Sequence, residues 1–471
     1  MDTRTDPSHT DPAPSPAGTV PAVPFLAALL SAVALTAGAI RLIPRLPVDF
    51  GGEYFRIDRL GGMLLLLTAA IFLACTIASY GYFRREIREG KLTPARTGAA
   101  YGWILLFVLS MAAGICAHHL ALQWVALEAT TLCTTPLIYL HGDRKATEAA
   151  WKYLLICSVG IAFAFLGLIF LYRAAGEIPM TWSALKEHAA ELDPRSLRFG
   201  FAFLLVGYGT KMGLAPMHTW LPDAHSQAPA PVSAMLSGVL LNCALLSILR
   251  VLPAVPESLS GPMLVLFGLA SIGVPALLAA VQRDVKRLLA YSSIENMGIV
   301  ALGLGFGGTA RTAALLHVIN HSLAKVVLFL VAGDLIFRFG TQRIREIRGA
   351  LRLSPAAGAL WFAGILAIGG SPPFGSFWSE LGILAGGIGT GRYAASMAYL
   401  VLLAVMFGSF LMYGSTMIFG EPEVRGTARG ERLCLIPAGA LLLCSLALGL
   451  HVPSALYGYL ETIAAALAFP A

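Results

Sequence analysis

Charge is scarce in this sequence: 13% of its 471 residues are Asp, Glu, Lys or Arg, whereas 57% are hydrophobic. Soluble domains carry about 25% charged residues, so a soluble globular protein is excluded. Cysteine is sparse too. The seven Cys (Cys75, Cys116, Cys133, Cys157, Cys243, Cys434 and Cys444) form no CxxC and mostly fall inside apolar runs, which argues against a disulfide framework or a metal cluster. HExxH, P-loop and paired metal-carboxylate motifs are missing, so nothing supports a stand-alone membrane enzyme. Residues 1–24 carry Asp2, Asp6 and Asp11 where a signal peptide needs positive charge, and they are rich in Pro; a disordered cytoplasmic tail is expected.

Long apolar runs are what the sequence has. A bilayer-spanning helix needs about 20 mostly apolar residues, because its backbone groups must be satisfied within the segment. About 13 stretches qualify, near 23–43, 60–82, 98–117, 119–140, 149–173, 199–221, 231–252, 262–281, 287–306, 311–338, 357–388, 394–419 and 434–452, with a short fourteenth at 454–470. The fold class expected is an all-α polytopic membrane protein.

The net charge of +7 is explained by topology without a nucleic-acid partner. Counted with the adjoining span ends, loops after even-numbered spans hold 19 Lys/Arg and loops after odd-numbered spans hold 11. Positive loops stay cytoplasmic, so the even loops and the N-terminus are expected inside. Bases in the two richest odd loops are diluted by acids: Asp49, Glu53 and Asp58 in one, Glu177, Glu187, Glu191 and Asp193 in the other.

Lys211 and Lys325 are the two bases placed well inside apolar segments, and Glu128 and Glu380 are acids in the same position. A central Lys costs about 2.5–3.5 kcal/mol on insertion scales, so such groups usually face a protein interior or water and mark an ion path. Around Lys211 the run is interrupted by Gly207, Gly209, Gly213, Pro216 and Pro222, and Gly369, Gly370, Pro372, Pro373 and Gly375 interrupt a second run ahead of Glu380. Proline removes a backbone donor and clashes one turn back. Two broken helices in corresponding places point to inverted repeats with an ion path at the breaks. The units are expected near 98–252 and 262–419, preceded by N-terminal helices at 25–97 and followed by C-terminal helices at 434–471.

His317, His321 and Lys325 fall at i, i+4 and i+8 on one helical stripe. A proton relay is favoured over a metal site, because the third group is a Lys that would repel a cation; hydrogen-bonded structural histidines are the third reading. Gly303, Gly305 and Gly308 satisfy GxGxxG but follow no strand, so a dinucleotide site is not expected. His118, His119 and His141 lie at span ends and are expected to pack there. Glu295 and Asp334 are read as half-buried near helix ends. The basic run Arg338, Arg343, Arg345, Arg348 and Arg352 is most simply a topology signal.

The run Lys211-Met-Gly-Leu-Ala-Pro216-Met-His218-Thr-Trp220-Leu-Pro222-Asp223-Ala-His225, with Asp284-Val-Lys286-Arg287-Leu-Leu-Ala-Tyr291, resembles the antiporter-like subunits of respiratory complex I. The likeness extends from about Asp58 through the second broken helix. Tyr291-Ser-Ser-Ile-Glu295-Asn-Met-Gly and His317-Val-Ile-Asn-His321-Ser-Leu-Ala-Lys325 are most similar to component F of hydrogenase-4 and related membrane-bound nickel–iron hydrogenases.

The resemblance implies a non-catalytic, proton-translocating subunit of a redox-driven complex in a bacterial or archaeal plasma membrane. It implies no cofactor in this chain, NiFe and iron–sulfur centres on partner subunits, and both membrane and peripheral partners. Carried over by motif, Glu128 and Lys211 form the proton input pair. His218, His225, Asn242, His317, His321 and Lys325 belong to the relay, and Glu380 is the terminal acid. Asn242 stands where many relatives have a bridging lysine, and waters of the broken helix are expected to bridge it. The alternatives are a subunit of an Mrp-type cation/proton antiporter, or a membrane module coupled to a soluble partner in inorganic carbon uptake.

Overall fold

A computed structural model describes residues 19–422 and 432–469. Most of the expected tail, and the basic residues between 423 and 431, lie outside the described residues. The first helix, α1 (Ala22–Leu42), begins inside the range expected for the tail. After a short hairpin of β1 (Val48–Phe50) and β2 (Phe55–Ile57), the chain forms α2 (Arg59–Arg88), α3 (Pro94–Cys116), α4 (Leu120–Ile138) and α5 (Arg144–Ala175). A short α6 (Trp182–Glu187) leads to α7 (Pro194–Met212) and α8 (Trp220–Gln227), followed by α9 (Ala230–Met235) and α10 (Leu241–Val251). Then come α11 (Glu257–Ala279), α12 (Val285–Phe306), α13 (Thr309–Phe339) and the one-turn α14 (Ala350–Leu353). The remaining helices are α15 (Pro355–Ile368), α16 (Gly375–Gly389), α17 (Tyr393–Ile418), α18 (Arg432–Leu450) and α19 (Ser454–Ala466).

Ten helical segments among the described residues are long and apolar enough to cross a membrane. The other three expected spans are α4 and the interrupted pairs α7/α8 and α15/α16, and the short fourteenth is α19. Helix starts follow local chemistry: the carboxylates of Asp58, Asp143, Asp193 and Asp284 each accept from a backbone N–H three residues on, at 2.8, 2.7, 2.9 and 2.9 Å.

The even-numbered loops share one face of the bundle and the odd-numbered loops the other. Glu86, Lys91, His141, Gln227, Lys286 and Gln342, from the ends of successive even-numbered loops, line one cavity of about 210 Å³. On the other face, bridges Phe55 to Ala117 and His119 to Thr181 tie odd loops together.

Close helix packing rests on glycine. A Cβ on Gly207 of α7 would lie 2.3 Å from the Ala164 nitrogen of α5, and one on Gly305 of α12 would lie 2.9 Å from the Gly261 oxygen of α11. Small residues let helix backbones approach in this way, which gives Gly303 and Gly305 of the GxGxxG run a packing role. The most interior elements are α9/α10, α12 and α13; α1 and α17 expose most of their surface.

Two expectations are corrected here. Glu295 lies in the middle of α12 and is 4% exposed, because α12 runs on through Phe306 and its whole length is enclosed by neighbouring helices. Asp334 is likewise buried, held in α13 by Arg85 at 3.3 Å and Arg338 at 2.5 Å.

Candidate functional site

At both breaks backbone groups find partners within the protein, as irregular backbone at membrane depth requires; at the second, the Ser371 N–H donates to the Leu366 carbonyl at 3.0 Å. At the first break, Gly213 ends α7 in the left-handed region (φ 84°). The Ala215 N–H donates to Ser271 Oγ at 2.9 Å, and the Trp220 indole donates to the Thr210 carbonyl at 2.8 Å. At the second break, Gly370 is also left-handed (φ 68°), and a Cβ there would lie 2.0 Å from Glu380 Oε2. The Glu380 carboxylate therefore packs against the bare Cα of the break.

Lys211 closes α7 one residue before its break and is fully buried. Its ammonium donates to the Leu127 carbonyl at 2.9 Å and to Thr131 Oγ1, both in α4. Thr131 donates to Glu128 Oε2 at 3.1 Å, and Ser158 of α5 donates to Glu128 Oε1 at 2.9 Å. Glu128 itself is half-buried. Acid and base thus share one hydroxyl, a residue that sequence reasoning did not single out although it stands one helical turn after Glu128.

Asn242 occupies α10 just after a π-helical turn at 236–240; such turns often mark functional positions. Its amide donates to the Gly238 carbonyl and to Ser322 Oγ of α13, each at 2.8 Å. Ser322 adjoins His321, so Asn242 links the Lys211 side of the protein to the central stripe of α13.

That stripe is buried throughout: His317, His321 and Lys325 are each 0% exposed. Lys325 donates to the Leu289 carbonyl of α12 at 2.8 Å. His317 pairs with Asn296 Oδ1 of α12 at 3.0 Å and with Ser379 Oγ of α16 at 2.9 Å, and Ser379 precedes Glu380. Glu295 lies within electrostatic reach of both Lys325 and Glu380. Sequence reasoning missed Asn296 and Ser379, as well as the depth of Glu295; the adjacency of Asn296 to Glu295 was the available signal.

His225 is buried and stacks on Phe329 with centroids 4.7 Å apart, within reach of Lys286 and Lys325. His218 lies farther out, 6.4 Å from the Tyr291 ring. Among the described residues, both nitrogens of His225 and of His321 lack a protein partner, as do Asn242 Oδ1, Asn320 Oδ1 and His218 Nδ1. The peripheral groups take structural roles: His118 pairs with Ser183 and the Glu53 carbonyl, His141 with Glu86, Arg343 with Glu346, and Arg352 with Glu421.

A helical membrane bundle with two interrupted spans and a buried line of acid, lysine and histidine defines an antiporter-like membrane subunit. Residues 117–416 match the family NADH:quinone oxidoreductase/Mrp antiporter, TM, and the chain belongs to that family. It is 37% identical over 416 residues to the Hydrogenase-4 component F homolog of Methylacidiphilum infernorum (isolate V4), covering 86% of this chain and 87% of that one. It is 33% identical over 397 residues to NADH-quinone oxidoreductase subunit N of Desulforudis audaxviator (strain MP104C), covering 82% and 76%. Among solved structures, a chain of respiratory complex I from Thermus thermophilus superposes with a TM-score of 0.76 at 26% identity, covering 94% of each chain.

Proposed function

We propose that this chain moves protons across the membrane as a subunit of a redox-driven complex of the hydrogenase-4 or NADH:quinone oxidoreductase kind, with NiFe and iron–sulfur centres on partner subunits. The observation that carries this reading is the line of ionisable groups crossing the bundle from half-buried Glu128 through buried Lys211, His321, Lys325 and His317 to buried Glu380, interleaved with polar atoms that have no protein partner among the described residues. Buried polar atoms without partners cost about 1–3 kcal/mol each unless ordered water satisfies them. The orphaned nitrogens of His321 and His225, together with Asn242 Oδ1, mark where water belongs, and Asn242 and water stand in for the bridging lysine of relatives. The breaks in α7/α8 and α15/α16 are equivalent members of two inverted repeats. The N-terminus and the even loops face the cytoplasm.

Glu128 is the switch because it is half-buried on α4 and reaches Lys211 through a single hydroxyl. A signal from a neighbouring subunit that draws Glu128 away deprives a desolvated ammonium of its counter-charge. A proton then leaves Lys211 toward Asn242 and the α13 stripe. It passes Lys325 and His317 and reaches Glu380 for release. The energy is adequate: one pKa unit is worth about 1.36 kcal/mol, and one charge moved across 100 mV costs about 2.3 kcal/mol. A swing in proton affinity of roughly two units is therefore sufficient.

The test is the intact complex reconstituted in proteoliposomes with a pH-sensitive dye. Electron donor should drive proton movement that does not depend on sodium. Sodium-dependent proton flux without any donor would give the Mrp-type antiporter reading instead, and no flux under either condition would refute both.

A further inference from the structure

The two odd-numbered loops that break the charge bias meet in one cavity. This cavity, about 320 Å³, lies on the odd-loop face between the start of α2, the end of α10, α6 and the C-terminal turns of α19. Four cationic side chains line it, Arg56, Arg59, Lys186 and Arg250, against the single carboxylate of Asp58.

The pairing is uneven. Asp58 is committed to Arg250 by two hydrogen bonds of 2.7 and 2.8 Å. Arg250 is stacked 4.1 Å from the centroid of Trp182, with Arg56 5.7 Å from the same ring. Arg56 meets only Asp49, on its solvent side, at 3.3 Å. Lys186 donates to the Ala466 carbonyl at the end of α19 and has no acidic partner among the described residues. Arg59 has no acidic partner among the described residues. Arg250 Nε is buried without a hydrogen-bond acceptor among the described residues. With Asp49 set against Arg56 and Asp58 against Arg250, two cations of the cavity, Arg59 and Lys186, have no acidic partner among the described residues.

Apart from Thr462, the rest of its wall is apolar and includes Leu60, Leu249, Pro253, Ile463 and Leu467. Trp182 and Tyr459, which donates to the Arg59 carbonyl at 2.8 Å, place it at the level where amphipathic aromatic rings gather at a membrane boundary. A cationic floor beside an apolar wall at that depth matches a phosphate attached to acyl chains.

We propose that this cavity binds a phosphate monoanion or diester, delivered by an anionic phospholipid whose acyl chains lie against α2 and α19. The bound phosphate joins Arg59 and Lys186, and so fixes α19 to the first odd loop. This proposal is independent of the proton path, which lies deeper in the bundle.

The experiment is native mass spectrometry of the intact complex from nanodiscs of equal phosphatidylglycerol and phosphatidylcholine, with the wild type, Arg59→Gln/Lys186→Gln, and the charge-preserving Arg59→Lys/Lys186→Arg. Each basic group near a membrane surface strengthens binding of anionic lipid several-fold. Retained phosphatidylglycerol should therefore fall about tenfold in the Gln pair and persist in the charge-preserving pair. Displacement by millimolar inorganic phosphate, with no lipid retained, would keep the anion site and assign it to a free anion. Equal retention of the two lipids by the wild type with no effect of phosphate, or equal phosphatidylglycerol in the wild type and the Gln pair, would overturn the proposal.

Discussion

Glu128 and Lys211 form no ion pair in this structure; the Thr131 hydroxyl joins them, accepting from the ammonium and donating to the carboxylate. The acid is half-buried and the lysine fully buried, so the pair straddles the boundary between the protein surface and its interior. A shared hydroxyl can transmit a small displacement of Glu128 to a charge that is buried away from bulk solvent.

Thr131→Val should uncouple the pair. Valine matches threonine in shape but neither donates nor accepts, and a hydrogen bond to a charged group is worth about 1.5–3 kcal/mol. Proton translocation in vesicles should fall at least about tenfold with assembly intact, while Thr131→Ser should retain most of it. Equal rates in the Val and Ser variants would show that the bridge has no role.

Gly370→Ala should cripple the terminal acid. The residue sits at φ 68° and the new methyl would fall 2.0 Å from Glu380 Oε2. A left-handed non-glycine residue costs on the order of 1–3 kcal/mol, and the carboxylate must also move. We expect a lower unfolding temperature in detergent together with a larger loss of translocation than Glu380→Gln, which should lose only part. Normal translocation by Glu380→Gln at matched expression would reduce Glu380 to a structural acid.

Asp58→Asn should destabilise the odd-loop face. Arg250 is buried and its side chain takes both oxygens of Asp58. Removing one partner of a buried pair costs up to about 3–5 kcal/mol, and the cost here is smaller because Asp58 keeps some contact with water. Burial pushes the Asp58 carboxyl up, but the Arg250 charge and its hydrogen bonds prevail and hold it below the usual carboxylate range. A depressed folded-state value means that the stabilisation is complete above the unfolded value, near pH 4, and is lost as the pH falls below it. Thermal unfolding should show this acid loss in the wild type and not in Asp58→Asn.

Much of this was legible in the sequence. Composition gave the bilayer, the loop charges gave two faces that the clustering of Glu86, His141 and Lys286 respects, and the Gly/Pro clusters marked both breaks. The stripe of His317, His321 and Lys325 followed from helical spacing alone. What stayed hidden is lateral. Thr131, Ser158, Asn296, Ser322 and Ser379 are ordinary polar residues whose importance depends on which helix they face, and a single sequence does not encode helix neighbours. Glu295 and Asp334 were misjudged for a related reason: their depth depends on where α12 and α13 end and on what surrounds them, whereas hydropathy reports only the local run. Gly303 and Gly305 imitated a nucleotide motif because close helix packing selects the same small residue.

The central claim is that Lys211 hands on the proton, and its most direct test is the Lys211→Ala variant in the intact complex, assayed for electron transfer and proton translocation in the same proteoliposomes. Electron transfer and subunit composition should remain close to wild type while donor-driven proton movement is lost, with Glu128→Ala giving the same result. Wild-type proton movement per electron in Lys211→Ala would contradict the assignment.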